Sequence, residues 1–235
     1  MLKKIVFTVS LLTIVMPLSA QDLKNRWVDS VLLTLTVPQK IGQLFMIPAS
    51  SYSSEGEIDA LAGRIKTLQP GALMITKGGP KSLGLMLNRL QSISKVPLMT
   101  GLNAEWGMAQ TLDSTMAFPY PLVQSAWAND SLNYRVGECI AKQLKMVGVQ
   151  INFAVRTDRY EYQPDYQHYY SNNKERAATK SLAFVKGLQE NGIIACARQW
   201  VDKVMVDTEI GKPRATSEVA QLNTAEFYIP LQLIR

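Results

Sequence analysis

The sequence contains few of the residues that build metal sites or disulfide frameworks. Its 235 residues include one histidine, His168, and two cysteines, Cys139 and Cys196. A single histidine without a cluster of cysteines leaves a zinc ion almost without ligands, so we expect neither a metal nor another cofactor. Each cysteine lies in an apolar stretch typical of the inside of a helix or strand. We therefore expect two buried free thiols, with a disulfide as the alternative that an exported protein permits.

Strong charge and a membrane-length apolar segment are also absent. The net charge of +6 is mild and no basic stripe is interleaved with aromatic residues, so nucleic acid is not an expected partner. The apolar stretch from Ile5 to Leu18 is shorter than the roughly 20 residues that span a bilayer. It follows two lysines and ends at Ser19 and Ala20, which is typical of a secretory signal peptide. We expect residues 1–20 to be removed and the mature protein to be periplasmic or secreted, without stable membrane insertion.

Short apolar runs alternate with longer segments of helical period along the rest of the chain. This alternation is typical of βαβ units with a mostly parallel sheet. We predict an α/β fold over residues 21–235, an incomplete (β/α)8 TIM-type barrel with about five strand–helix repeats; a doubly wound open sheet is the alternative. The absence of GxGxxG and GxxxxGK[ST] patterns disfavours its nucleotide-binding versions. The predicted strands are residues 42–47, 72–76, 97–102, 149–154 and 193–197, and the predicted helices are residues 57–67, 81–93, 131–146, 174–189 and 217–231.

Two long irregular segments, residues 105–128 and 156–173, follow predicted strands. In a barrel such loops build the active face. The second loop is rich in tyrosine, which predicts either an aromatic platform for a sugar ring or a partner protein, or rings packed over the barrel rim. No serine, cysteine or carboxylate lies at a recognisable catalytic spacing from His168, so we interpret it as a surface histidine. The tyrosines of this second loop are Tyr160, Tyr162, Tyr166, Tyr169 and Tyr170.

A series of short motifs occurs in a fixed order from residue 36 onward. Residues 39–46 read QKIGQLFM, and NAEWG at 103–107 is followed by LDST at 112–115. NFA at 152–154 and KGLQ at 186–189 complete the series. Together these motifs resemble the barrel domain of glycoside hydrolase family 3, in its bacterial β-N-acetylhexosaminidase-like branch. The resemblance implies retaining hydrolysis of β-linked amino sugars, with a carboxylate nucleophile and a histidine as general acid/base.

The chain departs from the family at positions that carry chemistry. The sugar-binding aspartate of the family motif DAEWG is Asn103, and the arginine expected before LDST is Thr111. The family loop KHFPGHG corresponds to residues 198–204, which read RQWVDKV and place Lys203 at the second histidine. An imidazole with a pKa near 6.5 exchanges protons at neutral pH, whereas a lysine in water, with a pKa of about 10.4, stays charged. The nucleophilic aspartate would follow Arg235, so the resemblance implies a truncated, degenerate hydrolase domain.

The resemblance also indicates which residues would line a glycan site. No residue is predicted to be catalytic or to bind a metal, because Glu105 and Asp158, the two carboxylates of this face, help to shape the sugar pocket in the family. Three functions stay open: a hydrolase-like protein with lost catalysis, a binding module for amino-sugar glycans, or a fragment of a larger hydrolase whose barrel a partner protein completes. The predicted substrate-binding residues are Asn103, Glu105, Trp106, Asp158, Arg198 and Gln199.

Overall fold

The strands of this protein form one sheet whose order follows the sequence. The computed structural model describes residues 20–156 and 166–198, together with Ile229 and Leu233. Within this part the strands are β1 (Met46–Ser50), β2 (Ala72–Lys77), β3 (Met99–Leu102), β4 (Ile151–Asn152) and β5 (Ile194–Ala195). They lie parallel in the order β1-β2-β3-β4-β5. A doubly wound sheet reverses its strand order whereas a (β/α) barrel keeps it, so the prediction of a partial barrel is confirmed and the alternative is wrong.

The predicted position of the first strand is wrong, and the other four strands are confirmed with shifted ends. The strand begins at Met46, because a short helix, α2 (Val37–Gly42), and a turn at residues 43–44 precede it. The Thr36 hydroxyl accepts a hydrogen bond from the N–H of Gln39, whose side chain accepts one from the N–H of Thr36. This capping box, with Pro38 in the first turn, starts a helix. In the apolar run that follows, periodicity alone does not show where the helix ends and β1 begins.

Helices connect consecutive strands. Helices α6 (Ser131–Met146) and α7 (Lys174–Gln189) have the predicted bounds. Helices α3 (Glu55–Leu68) and α4 (Pro80–Ser92) begin and end within two residues of the predicted bounds. The predicted helix at 217–231 and the predicted signal peptide lie outside the described residues, apart from Ile229, which is helical, and Ala20. In the part of the chain that the structure describes, no helix is long and apolar enough to cross a membrane. The helices are α1 (Ala20–Thr34), α2, α3 (Glu55–Leu68), α4 (Pro80–Ser92), α5 (Pro121–Ser125), α6 (Ser131–Met146) and α7 (Lys174–Gln189).

The hydrophobic core lies between the sheet and these helices. Leu73 and Ile75 of β2 are buried on one side of the strand, because alternate side chains of a strand share a face. Ile65 of α3 and Leu90 of α4 belong to the same buried cluster. Burial of one such side chain contributes about 1.5 to 3 kcal/mol. This packed layer fixes the relative positions of the strand ends.

Helices α6 and α7 approach each other through two glycines. A Cβ atom on Gly137 would lie 2.3 Å from the carbonyl oxygen of Phe184, and one on Gly187 would lie 2.2 Å from that of Tyr134. Any side chain at these positions would overlap the backbone of the other helix. The two helices therefore need glycine at both positions to pack as they do.

The two cysteines are free, but the expected burial is wrong. Cys139 is exposed on α6, and Cys196, just after β5, is only half-buried. On α6 the buried residues Val136 and Ile140 flank a position that points outward. An apolar neighbourhood in sequence does not show on which face of a helix a residue lies.

Candidate functional site

Polar side chains collect where β3, β4 and β5 end. Asn103 directly follows β3, Asn152 ends β4, and Arg198 follows shortly after β5. The carboxyl ends of parallel strands lie at the same edge of a barrel-type sheet, where barrel enzymes place their active sites. We call this edge, with Asn103, Glu105 and Arg198, the carboxyl-end face.

Glu105 is a buried carboxylate held by a histidine and an arginine. Its side chain is only 3% exposed. Oε2 of Glu105 lies 3.0 Å from Nδ1 of His168, and Oε1 accepts a hydrogen bond from Nη2 of Arg198. The backbone N–H of Glu105 donates to Oε1 of Gln110 at 2.7 Å. A buried charge is stable only when it is paired and hydrogen-bonded, and these partners meet that condition. Because the partners come from different segments, Glu105 also connects the loops that follow β3, β4 and β5.

Arg198 is partly buried beside Glu105. Its side chain is 31% exposed, and burial lowers the pKa of its guanidinium. An isolated backbone bridge joins it to Arg156, which extends the contact between the ends of β4 and β5. The Arg156 guanidinium lies 4.3 Å from the ring centre of Tyr169 and donates a hydrogen bond to its hydroxyl. Two arginines thus stand side by side at this face, each engaged by another side chain.

Three aromatic rings pack together at the same face. The ring centres of Trp106 and His168 lie 4.5 Å apart in an edge-to-face arrangement. Tyr120 lies 4.8 Å from Trp106 and 5.7 Å from His168, tilted toward both. Such geometries are favourable for aromatic pairs. Because the His168 side chain is only 18% exposed and bonded to Glu105, its interpretation as a surface histidine is wrong.

Two tyrosines of the tyrosine-rich loop are buried. Tyr169 and Tyr170 both lie inside the rim of the sheet. Burial raises the pKa of the Tyr170 hydroxyl, and a hydrogen bond with Asn133 opposes this more weakly. For these two residues the structure supports rings packed over the rim rather than an open platform. The side chains of Tyr160, Tyr162 and Tyr166 lie outside the described residues.

One polar side-chain atom of Asn103 has no hydrogen-bond partner among the described residues. Its backbone oxygen accepts a hydrogen bond from Oγ1 of Thr111 at 2.8 Å. Its side-chain Oδ1 is buried and has no hydrogen-bond partner among the described residues. The next residue is fixed by Asn152, whose Oδ1 accepts from the N–H of Ala104 at 2.9 Å and whose Nδ2 donates to its oxygen at 3.0 Å. Hydrogen bonds thus hold the backbone at Asn103 and Ala104 in place. In the described part of the chain, Oδ1 is a buried acceptor without a partner.

The structure places four predicted site residues on the carboxyl-end face, namely Asn103, Glu105, Trp106 and Arg198. The other two, Asp158 and Gln199, lie outside the described residues. In the described part of the chain, no three residues among histidine, cysteine, aspartate and glutamate are grouped to hold a metal ion. The sequence-based prediction missed three residues that shape the site. Only Asn152 could have been recognised from the sequence, because it is a polar residue inside an apolar strand. These are Gln110, Tyr120 and Asn152.

A parallel sheet in sequence order, with polar side chains gathered at its carboxyl ends, defines a domain of the (β/α) barrel type. A sequence profile of the glycosyl hydrolase family 3 N terminal domain matches residues 36–233. The chain belongs to glycosyl hydrolase family 3.

Several larger proteins are similar to this chain over part of their own length. A β-N-acetylglucosaminidase/β-glucosidase of Cellulomonas fimi is 22% identical over 187 residues, which cover 78% of this chain and 32% of the relative. The structure of a β-glucoside phosphorylase bound to 2FGlc matches with a TM-score of 0.75 at 21% identity, over 92% of this chain and 39% of that protein. A family 3 β-N-acetylglucosaminidase from Paenibacillus sp. str. FPU-7 matches with a TM-score of 0.63 at 22% identity, over 83% of this chain and 40% of that protein. The structural matches show the fold, and the chain spans about a third of the length of the curated relative.

Proposed function

We propose that this chain is an exported, carbohydrate-active member of the family in which hydrolysis is absent or strongly reduced. Its ligand class is β-linked amino-sugar glycan, which corresponds to one of the two activities for which the relative from Cellulomonas fimi is named, β-N-acetylglucosaminidase and β-glucosidase. Export is inferred from the signal-like segment at residues 1–20. The loss of hydrolysis is inferred from the carboxyl-end face.

The pairing of Glu105 is the observation that carries this proposal. A retaining glycosidase needs a nucleophile and a second group that is free to give a proton to the leaving sugar and to take one back. Both carboxylate oxygens of Glu105 are engaged by protein groups, and His168 directs Nδ1 at the same carboxylate. Glu105 is also buried. Its carboxylate is therefore not free to protonate a leaving group.

The segment that corresponds to the family's proton-transfer loop supports the same conclusion. Residues 198–204 contain no histidine. Arg198, the first of them, is engaged with Glu105. Lys203 stands where the resemblance places the second histidine, and a lysine ammonium in water gives up its proton only near pH 10.4. The segment therefore lacks the histidine that serves as general acid/base in the family.

Assay of the purified protein on a chromogenic β-N-acetylglucosaminide tests the proposal. We expect no turnover above that of a buffer blank. Turnover that is abolished by Glu105→Ala or Asp158→Ala, in variants with unchanged circular dichroism, would overturn it. Asn88→Ala, at an exposed position of α4, is the control for effects of substitution alone.

A second candidate function, binding of amino-sugar glycan without hydrolysis, is favoured by one observation. Oδ1 of Asn103 is buried without a partner among the described residues. A buried acceptor without a hydrogen bond is destabilising, and a sugar hydroxyl would satisfy it. Tyr120, which is 38% exposed and packs against Trp106, offers an aromatic surface on the same face for the apolar side of a sugar ring.

Calorimetric titration with N-acetylglucosamine oligomers tests this second function. We expect binding that Asn103→Ala weakens by about tenfold, the effect of one lost hydrogen bond of about 1.4 kcal/mol. Asn88→Ala should bind as the unmodified protein does. No heat at millimolar ligand would remove the support for a binding role.

A further inference from the structure

One side of strand β1 has no neighbouring strand in the described part of the chain. In a parallel strand, the backbone groups of successive residues point alternately to the two sides. The Phe45 carbonyl accepts a hydrogen bond from the N–H of Ala72, and the Ser51 N–H donates to the carbonyl of Lys77. Residues 45, 47, 49 and 51 thus face β2. The N–H and C=O groups of residues 46, 48 and 50 face the open side.

Pro48 stands at the centre of this open side. Its nitrogen carries no hydrogen, so the position offers no donor to another strand. Pro48 is exposed, and the register of β1 against β2 shifts just beyond it, between Ala49 and Ser50. Proline and irregular register are both typical of the edge strands of sheets.

The open side loses a second hydrogen-bonding group at Ser50. The carbonyl of Ser50 accepts a hydrogen bond from the N–H of Ser53, 3.3 Å away, in the turn after β1. A strand added along this side could donate to the carbonyl of Pro48 but would receive no hydrogen bond from its nitrogen. The carbonyl of Ser50 would already be bonded to Ser53. One carbonyl of the added strand would be buried without a partner, which is strongly unfavourable in a sheet.

We infer that β1 is a permanent edge of this sheet, so that the sheet does not close into a barrel across β1. The inference applies to any added strand, whether it comes from the same polypeptide, a second copy or another protein. A polypeptide that completes the domain contacts β1 through side chains and not through a backbone ladder.

Amide hydrogen exchange followed by NMR on the full polypeptide that the gene encodes tests this inference. Met46 and Ser50 face the open side, and Ile47 and Ala49 face β2. We expect the amides of Met46 and Ser50 to exchange at least about a hundredfold faster than those of Ile47 and Ala49.

Strand β2 provides an internal control because it is paired on both sides. Its adjacent residues Leu73 and Met74 should both be protected. Exchange of Met46 or Ser50 within about tenfold of Ile47 and Ala49 would show a strand bonded along β1 and would overturn the inference.

Discussion

The Glu105 carboxylate sits at only 3% exposure, where water no longer stabilises its charge. Its stability in this position depends on the groups that replace water, which are the Arg198 guanidinium and the His168 ring. The pairing that makes Glu105 unavailable for proton transfer is therefore also what allows it to be buried. Removing one partner should destabilise the fold as well as change the site.

Arg198→Ala tests this coupling at a single residue. The substitution leaves the buried Glu105 without its guanidinium partner. Because Arg198 is itself partly exposed and His168 remains, we expect the free energy of unfolding in urea to fall by about 2 to 3 kcal/mol, below the full effect of breaking a fully buried pair.

Arg135→Ala is the matched control. Arg135 pairs with Glu138 on the surface of α6, and exposed ion pairs contribute only about 0.2 to 1 kcal/mol. Equal losses for Arg198→Ala and Arg135→Ala would contradict a buried, partner-dependent Glu105.

The sequence predicts some of the residues of this face but not how they pair. Glu105 and Arg198 are identified from motifs that surround them. His168 and Arg198 lie 63 and 93 residues from Glu105 along the chain, and pairing over such separations depends on loop paths that no local pattern records. For the same reason the contribution of Tyr120, which lies in an irregular loop, is not predictable from one sequence.

At the scale of elements, local signals and packing decide different features. The bounds of α6 and α7 follow from their apolar period. The error at β1 arises because the short helix α2 precedes it within one apolar run. What a helical pattern does not show is how closely two helices approach, which in α6 and α7 depends on Gly137 and Gly187.

Gly187→Ala should therefore destabilise the protein. The new Cβ would overlap the carbonyl oxygen of Tyr134, and overpacking of this kind typically lowers the free energy of unfolding by about 1 to 3 kcal/mol. Gly63→Ala in α3, where a Cβ meets nothing within 4 Å, should instead raise stability by about 0.5 to 1 kcal/mol. Thermal unfolding of both variants checks the pair, and a stabilised Gly187→Ala variant would contradict the close contact.

The first turn of α3 should make stability depend on acidic pH. The Glu57 side chain accepts hydrogen bonds from the backbone and side chain of Ser54, and these bonds lower the pKa of Glu57 below 4.5. A carboxyl group whose folded pKa is lowered stabilises the fold above its unfolded pKa, and this contribution is lost as the pH falls through the folded pKa.

The Glu57→Gln variant isolates this effect, because glutamine keeps a capping acceptor but does not titrate. Below pH 4.5 we expect its melting temperature to fall less steeply with pH than that of the unmodified protein. Parallel curves for the two proteins would show that Glu57 does not contribute in this way.

At the scale of the whole molecule, the described residues form part of a barrel-type domain in which β1 is paired with β2 on one side only. Export of the protein should leave a measurable mark on its N-terminus. In a bacterial host we expect an exported product whose mass corresponds to a chain starting at Gln21, because the small residue Ala20 suits signal peptidase. Ala20→Arg should block this cleavage, and a full-length mass for the unmodified protein would contradict the signal peptide.

Hydrolysis of N,N′-diacetylchitobiose by the complete gene product tests the central claim most directly. The leaving sugar of this substrate is a poor leaving group and needs a proton, so cleavage requires a general acid. We propose that this acid is missing, because Glu105 is paired and residues 198–204 contain no histidine. We predict no release of N-acetylglucosamine during prolonged incubation at neutral pH. Release that Glu105→Gln or Lys203→Ala abolishes, in a protein that remains folded, would contradict the account.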